Sequence, residues 1–197
     1  PIAIILSGGP DSVYKDGAPS LNPIIFQMEV PILGICYGFG LLIKHDDGII
    51  KSTSQSEYGF TKINIEKDSI LIKGVEESTQ VWMSHGDSIE ELPKNWSIIA
   101  RSNNGILAAA EREDSNIFGT QFHPEVIHTV NGKKILSNFL FDVVGCSKNW
   151  TSASFVQSTI QDIKEKIGDE KVLCGVSGGV DSTVLAKLIH EAIGDSL

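Results

Sequence analysis

Three short stretches of the 197-residue chain carry residue types and spacings suited to chemistry. The first is Gly34-Ile35-Cys36-Tyr37-Gly38, with an apolar β-rich run before it and a helical pattern after it. A cysteine on a sharp strand-to-helix turn is lifted above the sheet edge, and flanking glycines suit a turn with no room for a Cβ. N–H groups and the dipole at the start of the following helix favour an anion. The placement therefore predicts a thiol of lowered pKa beside a site for a tetrahedral oxyanion. Plain burial is the competing account, since free cysteines also pack as small apolar residues. Of the other two cysteines, neither Cys146 nor Cys174 has this context.

The second stretch is His123-Pro124-Glu125. A thiol nucleophile needs a base, and the base needs a third group that fixes its tautomer. Residues i and i+2 of an extended segment point the same way, so Glu125 can orient His123 across the stiff Pro124. A histidine at a strand end can equally be a satisfied polar residue, and His45, His128 and His190 are read only in that way. The third stretch is Ser177-Gly178-Gly179-Val180-Asp181-Ser182-Thr183. Glycines permit close backbone approach, and N–H groups at a helix start can cradle pyrophosphate. No Gly-Lys-Ser/Thr follows, so it is not a Walker loop. A bare glycine turn with Asp181 as the helix N-cap is the plainer account.

Positioning these residues requires an alternation of strands and helices. Strands are expected at Ile2–Leu6, Pro31–Cys36, Lys62–Ile65, Gln80–Met83, Ser97–Arg101, Ile106–Glu111 and Asn116–Gln121, with a helix near Tyr37–His45. From Gly132 the spacing of Ile135, Leu136, Phe139, Leu140, Val143 and Val144 predicts an amphipathic helix ended by Gly145. The small, polar stretch Cys146–Ser154 reads as a linker. Beyond it come a helix bearing Phe155, Val156, Ile160, Ile163 and Ile167, stopped at Gly168, a strand at Lys171–Val176, and a helix at Asp181–Ile193. A lone strand cannot bury itself, so this second region reads as truncated. The opening at Pro1, directly into a strand, reads as cut at the front.

Composition sets bounds. Lys and Arg number 16 against 25 Asp and Glu, a net charge of −9 that argues against a nucleic-acid binder. The longest apolar runs, Ile2–Leu6 and Ile106–Ala110, are too short to span a bilayer, and no signal segment opens the chain. Three cysteines without a Cys-x-x-Cys pair argue against a disulfide framework or a zinc site. A cytoplasmic protein with no membrane partner and no bound metal is expected.

Gly34–Gly38 with His123 and Glu125 resembles the Cys-His-Glu triad of the class I glutamine amidotransferases. Ser177–Thr183 resembles the phosphate loop of the N-type ATP pyrophosphatases. The pairing resembles the glutamine-hydrolysing GMP synthase family, and the likeness extends through Leu6–Pro10, Ser56–Phe60, Trp82–Asp87, Thr120–Val126 and Gly168–Ser182. It implies an α/β fold: an open, flavodoxin-like mixed sheet with helices on both faces over residues 1–145. A linker over 146–154 and the truncated start of an α/β adenine-nucleotide-hydrolase-like domain over 155–197 would follow.

By the same resemblance Cys36, His123 and Glu125 are catalytic, and the N–H groups of Gly9 and Tyr37 form the oxyanion hole. Ser84, Gly86 and Asp87 contact glutamine, and Ser177, Gly178, Gly179, Val180, Asp181, Ser182 and Thr183 bind ATP. The family aminates xanthosine monophosphate (XMP) to GMP. It uses ATP with Mg2+ as co-substrate, needs no tightly bound cofactor, and forms homodimers through regions that lie outside this chain. The chain departs from the family in lacking a first strand and helix, in ending at Leu197, in having Gly40 where a substrate-holding Gln is usual, and in the charges of Asp46 and Asp47. A non-catalytic module of the same fold is the rival reading. Gly40 and the ends favour it; the complete triad favours the enzyme.

Overall fold

β-branched runs broken by Gly, Pro and Asn become seven strands: β1 (Ile4–Leu6), β2 (Ile32–Ile35), β3 (Ile49–Ile65), β4 (Ser78–Glu91), β5 (Trp96–Ser102), β6 (Leu107–Arg112) and β7 (Ile117–Thr120). The computed structural model describes residues 1–52 and 56–197, which divide into two units, Pro1–Cys146 and Ser147–Leu197. All seven strands form one sheet in the first unit, in the order β1-β2-β7-β6-β5-β3-β4. β1, β2 and β7 are parallel and the remaining pairs antiparallel, giving the expected open mixed sheet.

Helices cover both faces. Along β2 and β7 every residue is buried, as in a parallel sheet covered on two sides, and neighbouring residues alternate between the faces. Ile32 and Ile117 pack with Phe39, Leu42 and Ile43 of α2 (Tyr37–His45) and with Ile25 and Phe26 of the short helix α1 (Ile24–Gln27). Leu33 and Phe118 pack on the other face with Ile135 of α3 (Gly132–Ser137) and Phe139 of the π-helical turn Asn138–Val143. Asn138 hooks that turn onto the 3-10 turn Ile70–Ile72, donating to the carbonyls of Leu71 and Lys73, each at 2.9 Å. Gly145 then takes a positive φ of 74°.

β3 and β4 are much longer than Lys62–Ile65 and Gln80–Met83. Neither face alternates cleanly: the outward rows carry Tyr58, Phe60 and Trp82 among polar residues, and the inward rows include Glu57, Thr79 and His85. In β4 the inward row is Thr79, Val81, Met83 and His85, all buried. Asp46, at the end of α2, is not a stray charge: Trp96 Nε1 donates to it at 2.7 Å and Arg112 Nε lies 3.3 Å away.

In the second unit a Thr151–Ser154 capping box starts α4 (Ser152–Ile167), inside the stretch read as linker, and Gly168 ends it at φ 60°. α5 (Val180–Ile193) follows. Lys171–Val176 is not a strand, contrary to expectation. Its composition is strand-like, but no neighbouring strand is present among the described residues of this unit. Leu173 stands fully exposed, and Val172 donates only to the Ser196 carbonyl. Among the described residues no helix is long and apolar enough to cross a membrane.

Candidate active site

β2 delivers the chain into the turn at Cys36. Its N–H still continues the sheet by donating to the Thr120 carbonyl at 2.7 Å, and α2 begins at the next residue. Between them Cys36 takes φ 51° and ψ −102°, a conformation that costs a non-glycine residue about 1–3 kcal/mol and persists only when its surroundings enforce it. The flanking glycines show the enforcement. A Cβ on Gly34 would lie 2.7 Å from the Phe39 backbone, and one on Gly38 would strike the backbone of Leu6.

The thiol is buried and faces polar atoms on three sides. The Tyr37 N–H points to the sulfur, Gln121 Nε2 donates to it at 3.8 Å, and the thiol donates to the Ser84 carbonyl at 3.6 Å. The expectation of a lowered thiol pKa is overturned. Burial pushes the Cys36 pKa up, outweighing the Tyr37 N–H, and the charges of Glu125 and Asp87 push the same way. At neutral pH the Cys36 sulfur is therefore held as a thiol.

His123 Nδ1 lies 2.7 Å from Glu125 Oε1, which fixes the hydrogen on Nδ1 and leaves Nε2 as the basic atom. Its backbone is stitched down: the His123 N–H donates to the Trp82 carbonyl at 3.0 Å. Thr129 Oγ1 donates to the His123 carbonyl at 2.6 Å and accepts from the Trp82 N–H at 3.0 Å. Gly8 lies between the imidazole and the thiol. A Cβ built there would sit 2.8 Å from His123 Cε1 and 3.8 Å from Cys36 Cβ, so only glycine leaves the gap between the two open.

A cavity of about 300 Å3 opens over the sulfur. Gly9, Cys36, Tyr37, Ser84, Gly86 and Asp87 line it; His123 and Glu125 do not, lying across Gly8. Gly9 packs against Tyr37, whose ring is 3.1 Å from where its Cβ would be. The Gly38 N–H is taken by the Ser7 carbonyl, leaving that of Tyr37 beside the sulfur. Ser84 meets Cys36 through its carbonyl, since its side chain lies on the exposed row of β4. Asp87 is braced at Oδ1 by Ser12 Oγ (3.0 Å) and Tyr14 OH (2.9 Å). Gly40 also lines the cavity, and a Cβ on it would meet Val13 Cγ1 at 3.0 Å, so Val13 fills the room a longer side chain would need.

Sequence reasoning missed Gln121, Thr129, Ser12, Tyr14 and His85. Only His85 had a local signal, the alternation Val81, Met83, His85 that carries it onto the buried row; the others act through contacts distant in sequence.

In the second unit, Ser177–Gly179 precede α5, whose N-cap is Gly179 with no side-chain cap. Asp181 lies inside the first turn and is not the cap. Gly178 has φ 81°, Ser177 Oγ lies 3.0 Å from Ser182 Oγ, and Thr183 Oγ1 donates to the Gly179 carbonyl at 2.8 Å. The Gly179 N–H donates to Ser177 Oγ at 3.4 Å, and α5 has no side-chain cap, an arrangement that suits an anion at the helix start.

Residues 1–143 match the family described as glutamine amidotransferase class-I, and residues 152–197 match NAD synthase. The chain belongs to the class I glutamine amidotransferases. Over all 197 residues it is 46% identical to GMP synthase [glutamine-hydrolyzing] of Carboxydothermus hydrogenoformans and 47% to that of Brachyspira hyodysenteriae. It spans only 39% and 38% of those two proteins' lengths. A solved structure from Thermoplasma acidophilum, assigned as one subunit of a GMP synthase, superposes with TM-score 0.63 at 27% identity, covering 79% of this chain and 76% of that one.

Proposed function

We propose that this chain is the glutamine-hydrolysing part of a GMP synthase, joined to the beginning of its ATP-pyrophosphatase part. Residues 1–145 form the amidotransferase domain, and the start of the second domain follows a linker that ends where Thr151 caps α4. The observation that carries the reading is the Cys36 turn: a positive-φ cysteine with the Tyr37 N–H on its sulfur, across Gly8 from a His123–Glu125 pair. The end-to-end likeness to GMP synthases supports the particular product.

In this mechanism His123 Nε2 takes the Cys36 proton as the sulfur attacks the side-chain carboxamide carbon of glutamine. The Gly9 and Tyr37 N–H groups receive the oxyanion of the tetrahedral intermediate. Protonated His123 hands its proton to the departing ammonia, leaving a thioester that water hydrolyses to glutamate, with His123 acting again as base. Ser84, Gly86 and Asp87 hold the amino-acid end of glutamine. The N–H groups at the start of α5, with Ser177–Thr183, hold the phosphates of Mg-ATP. XMP attacks the α-phosphorus of ATP and is adenylylated with release of pyrophosphate, and ammonia then displaces AMP to give GMP. The setting is cytoplasmic and the whole enzyme a homodimer.

The test is glutaminase assay of the chain with Cys36→Ala as the blank, paired with a glutamine-mimicking electrophile and peptide mapping. Hydrolysis falling by about 10⁴-fold or more in Cys36→Ala, with labelling confined to Cys36, is the expected result. Labelling of Cys146 or Cys174 in folded protein, or hydrolysis that survives the substitution, would overturn it.

A further inference from the structure

Behind the Ser84–Asp87 segment lies a buried pair that the mechanism above does not use. The inward row of β4 carries His85 into the core, and its direct cross-strand partner on β3 is Glu57, at the point where the register shifts after Ser52. Their side chains are 2% and 5% exposed. Glu57 Oε1 accepts from Ser102 Oγ and from Asn104 Nδ2, both at 2.8 Å. His85 Nδ1 lies 2.8 Å from the Asp87 carbonyl oxygen; a carbonyl can only accept, so Nδ1 carries the ring hydrogen. That leaves Glu57 Oε2 and His85 Nε2 facing one another at 3.8 Å, each buried and each without a hydrogen-bond partner among the described residues. Two bare lone pairs so placed would repel one another and would both forgo solvation. A proton between them removes both costs.

From this geometry we infer that Glu57 and His85 hold one proton between them and act as positioning residues for the glutamine-contacting segment. The chain of contacts is continuous. Ser102 and Asn104 fix Glu57, Glu57 fixes the imidazole through the shared proton, and the imidazole fixes the Asp87 carbonyl. The Asp87 carboxylate is meanwhile braced from the other side by Ser12 and Tyr14. The inference rests on the amidotransferase reading of the cavity.

Burial sets the net direction and holds the His85 imidazolium below its ordinary range, against the smaller opposing pull of the Asp87 carbonyl and the Glu57 and Asp87 carboxylates. The charged and titratable groups around the ring are Glu57 from β3, Asp87 from β4, and Cys36, Asp11, Tyr37 and Tyr58 around the shared cavity. Loss of the shared proton as pH rises would release the ring, and glutamine affinity would fall. Glu57→Gln replaces the shared proton with an amide N–H that does not titrate, and it keeps Oε1 for Ser102 and Asn104. Glu57→Ala removes the support altogether.

The experiment measures the Kd of L-glutamine calorimetrically from mildly acid to alkaline pH in the Cys36→Ser chain, which removes the thiol's own titration. The same chain carrying Glu57→Gln or Glu57→Ala is compared, and the 15N shifts of the His85 ring are read in parallel. The amino group of glutamine titrates alike in all three and cancels. Expected are about a tenfold weakening in the parent as pH rises across the range, absent in Glu57→Gln, and a Kd raised about tenfold in Glu57→Ala on the acid side of that change. The His85 signals should show a hydrogen on Nδ1. Identical pH profiles in the parent and Glu57→Gln, or a ring hydrogen confined to Nε2 with Nδ1 bare, would overturn the inference. If Glu57→Ala fails to fold, the Glu57→Gln comparison decides alone. If the parent binds no glutamine at any pH, the amidotransferase reading falls, and the ring shifts still decide the shared proton.

Discussion

The Cys36 turn and the Ser177–Gly179 loop are two answers to the same local problem, an extended segment turning into a helix with glycines at the bend. At Cys36 the extended segment is β2, hydrogen-bonded on both edges to β1 and β7 and buried along its whole length. That surrounding holds a cysteine in a backbone conformation it would otherwise leave. At Ser177 the incoming segment, Lys171–Val176, has no strand beside it among the described residues, and its bend uses Gly178 at φ 81°, where glycine is at ease. Strain is stored where the sheet can enforce it. Where no sheet stands, the turn relies on hydroxyl-to-carbonyl bonds such as Thr183 to Gly179.

Hydrogen exchange tests that contrast most directly. The amides of β2 and β7 should open only with the whole first unit, whereas those of 171–176 should exchange almost freely, a difference in protection of about 10³-fold or more. Equal protection in the two segments would mean that Lys171–Val176 is held by more than its Val172–Ser196 bond. Next in size is Gly8→Ala. Its Cβ must displace the His123 ring, and a misplacement of about 1 Å costs on the order of 10²-fold in rate. Thermal unfolding near that of the parent, with glutaminase lost, is the expected pattern; full activity would show that His123 reaches Cys36 by another route.

A smaller change should come from Gly40→Gln. In the parent, Val13 obstructs the new side chain, so the substitution should lower the KM for glutamine about tenfold only when Val13→Ala accompanies it. An equal gain from Gly40→Gln alone would show that Val13 yields. The smallest effect concerns pH. Folding raises the Cys36 pKa by burial, so the neutral thiol stabilises the fold below the ordinary thiol value. That contribution is lost as pH rises through the folded value. Denaturant titration should show stability falling on the alkaline side in the parent and less so in Cys36→Ser. Parallel curves would place the thiol nearer water than the structure does.

Much of the site was legible because its signals are local. Gly34, Gly38 and the i, i+2 spacing of His123 and Glu125 state their geometry in the sequence itself. The fold was legible in element order and in the covered parallel strands, whose residues are apolar on both faces. What was hidden depends on partners far along the chain. Gln121 and Thr129 look like ordinary polar residues until β7 and the 126–130 segment bring them to Cys36 and His123. The lengths of β3 and β4 were masked because aromatic residues on the outward rows and polar ones on the inward rows blur the alternation. Lys171–Val176 erred the other way: strand-like residues make no strand without a neighbour. The pKa of Cys36 was misjudged because the helix start is visible in sequence and the depth of burial is not.

The positive φ of Cys36 also sets activity against durability. Glycine is the residue at ease at this φ, and placing it there would relieve the strain and remove the thiol in the same step, so on the reading proposed above the two properties cannot be improved there independently. A variant of this fold with no use for the thiol would find added stability within reach of a single substitution, and regaining the thiol would then mean restoring a less comfortable backbone.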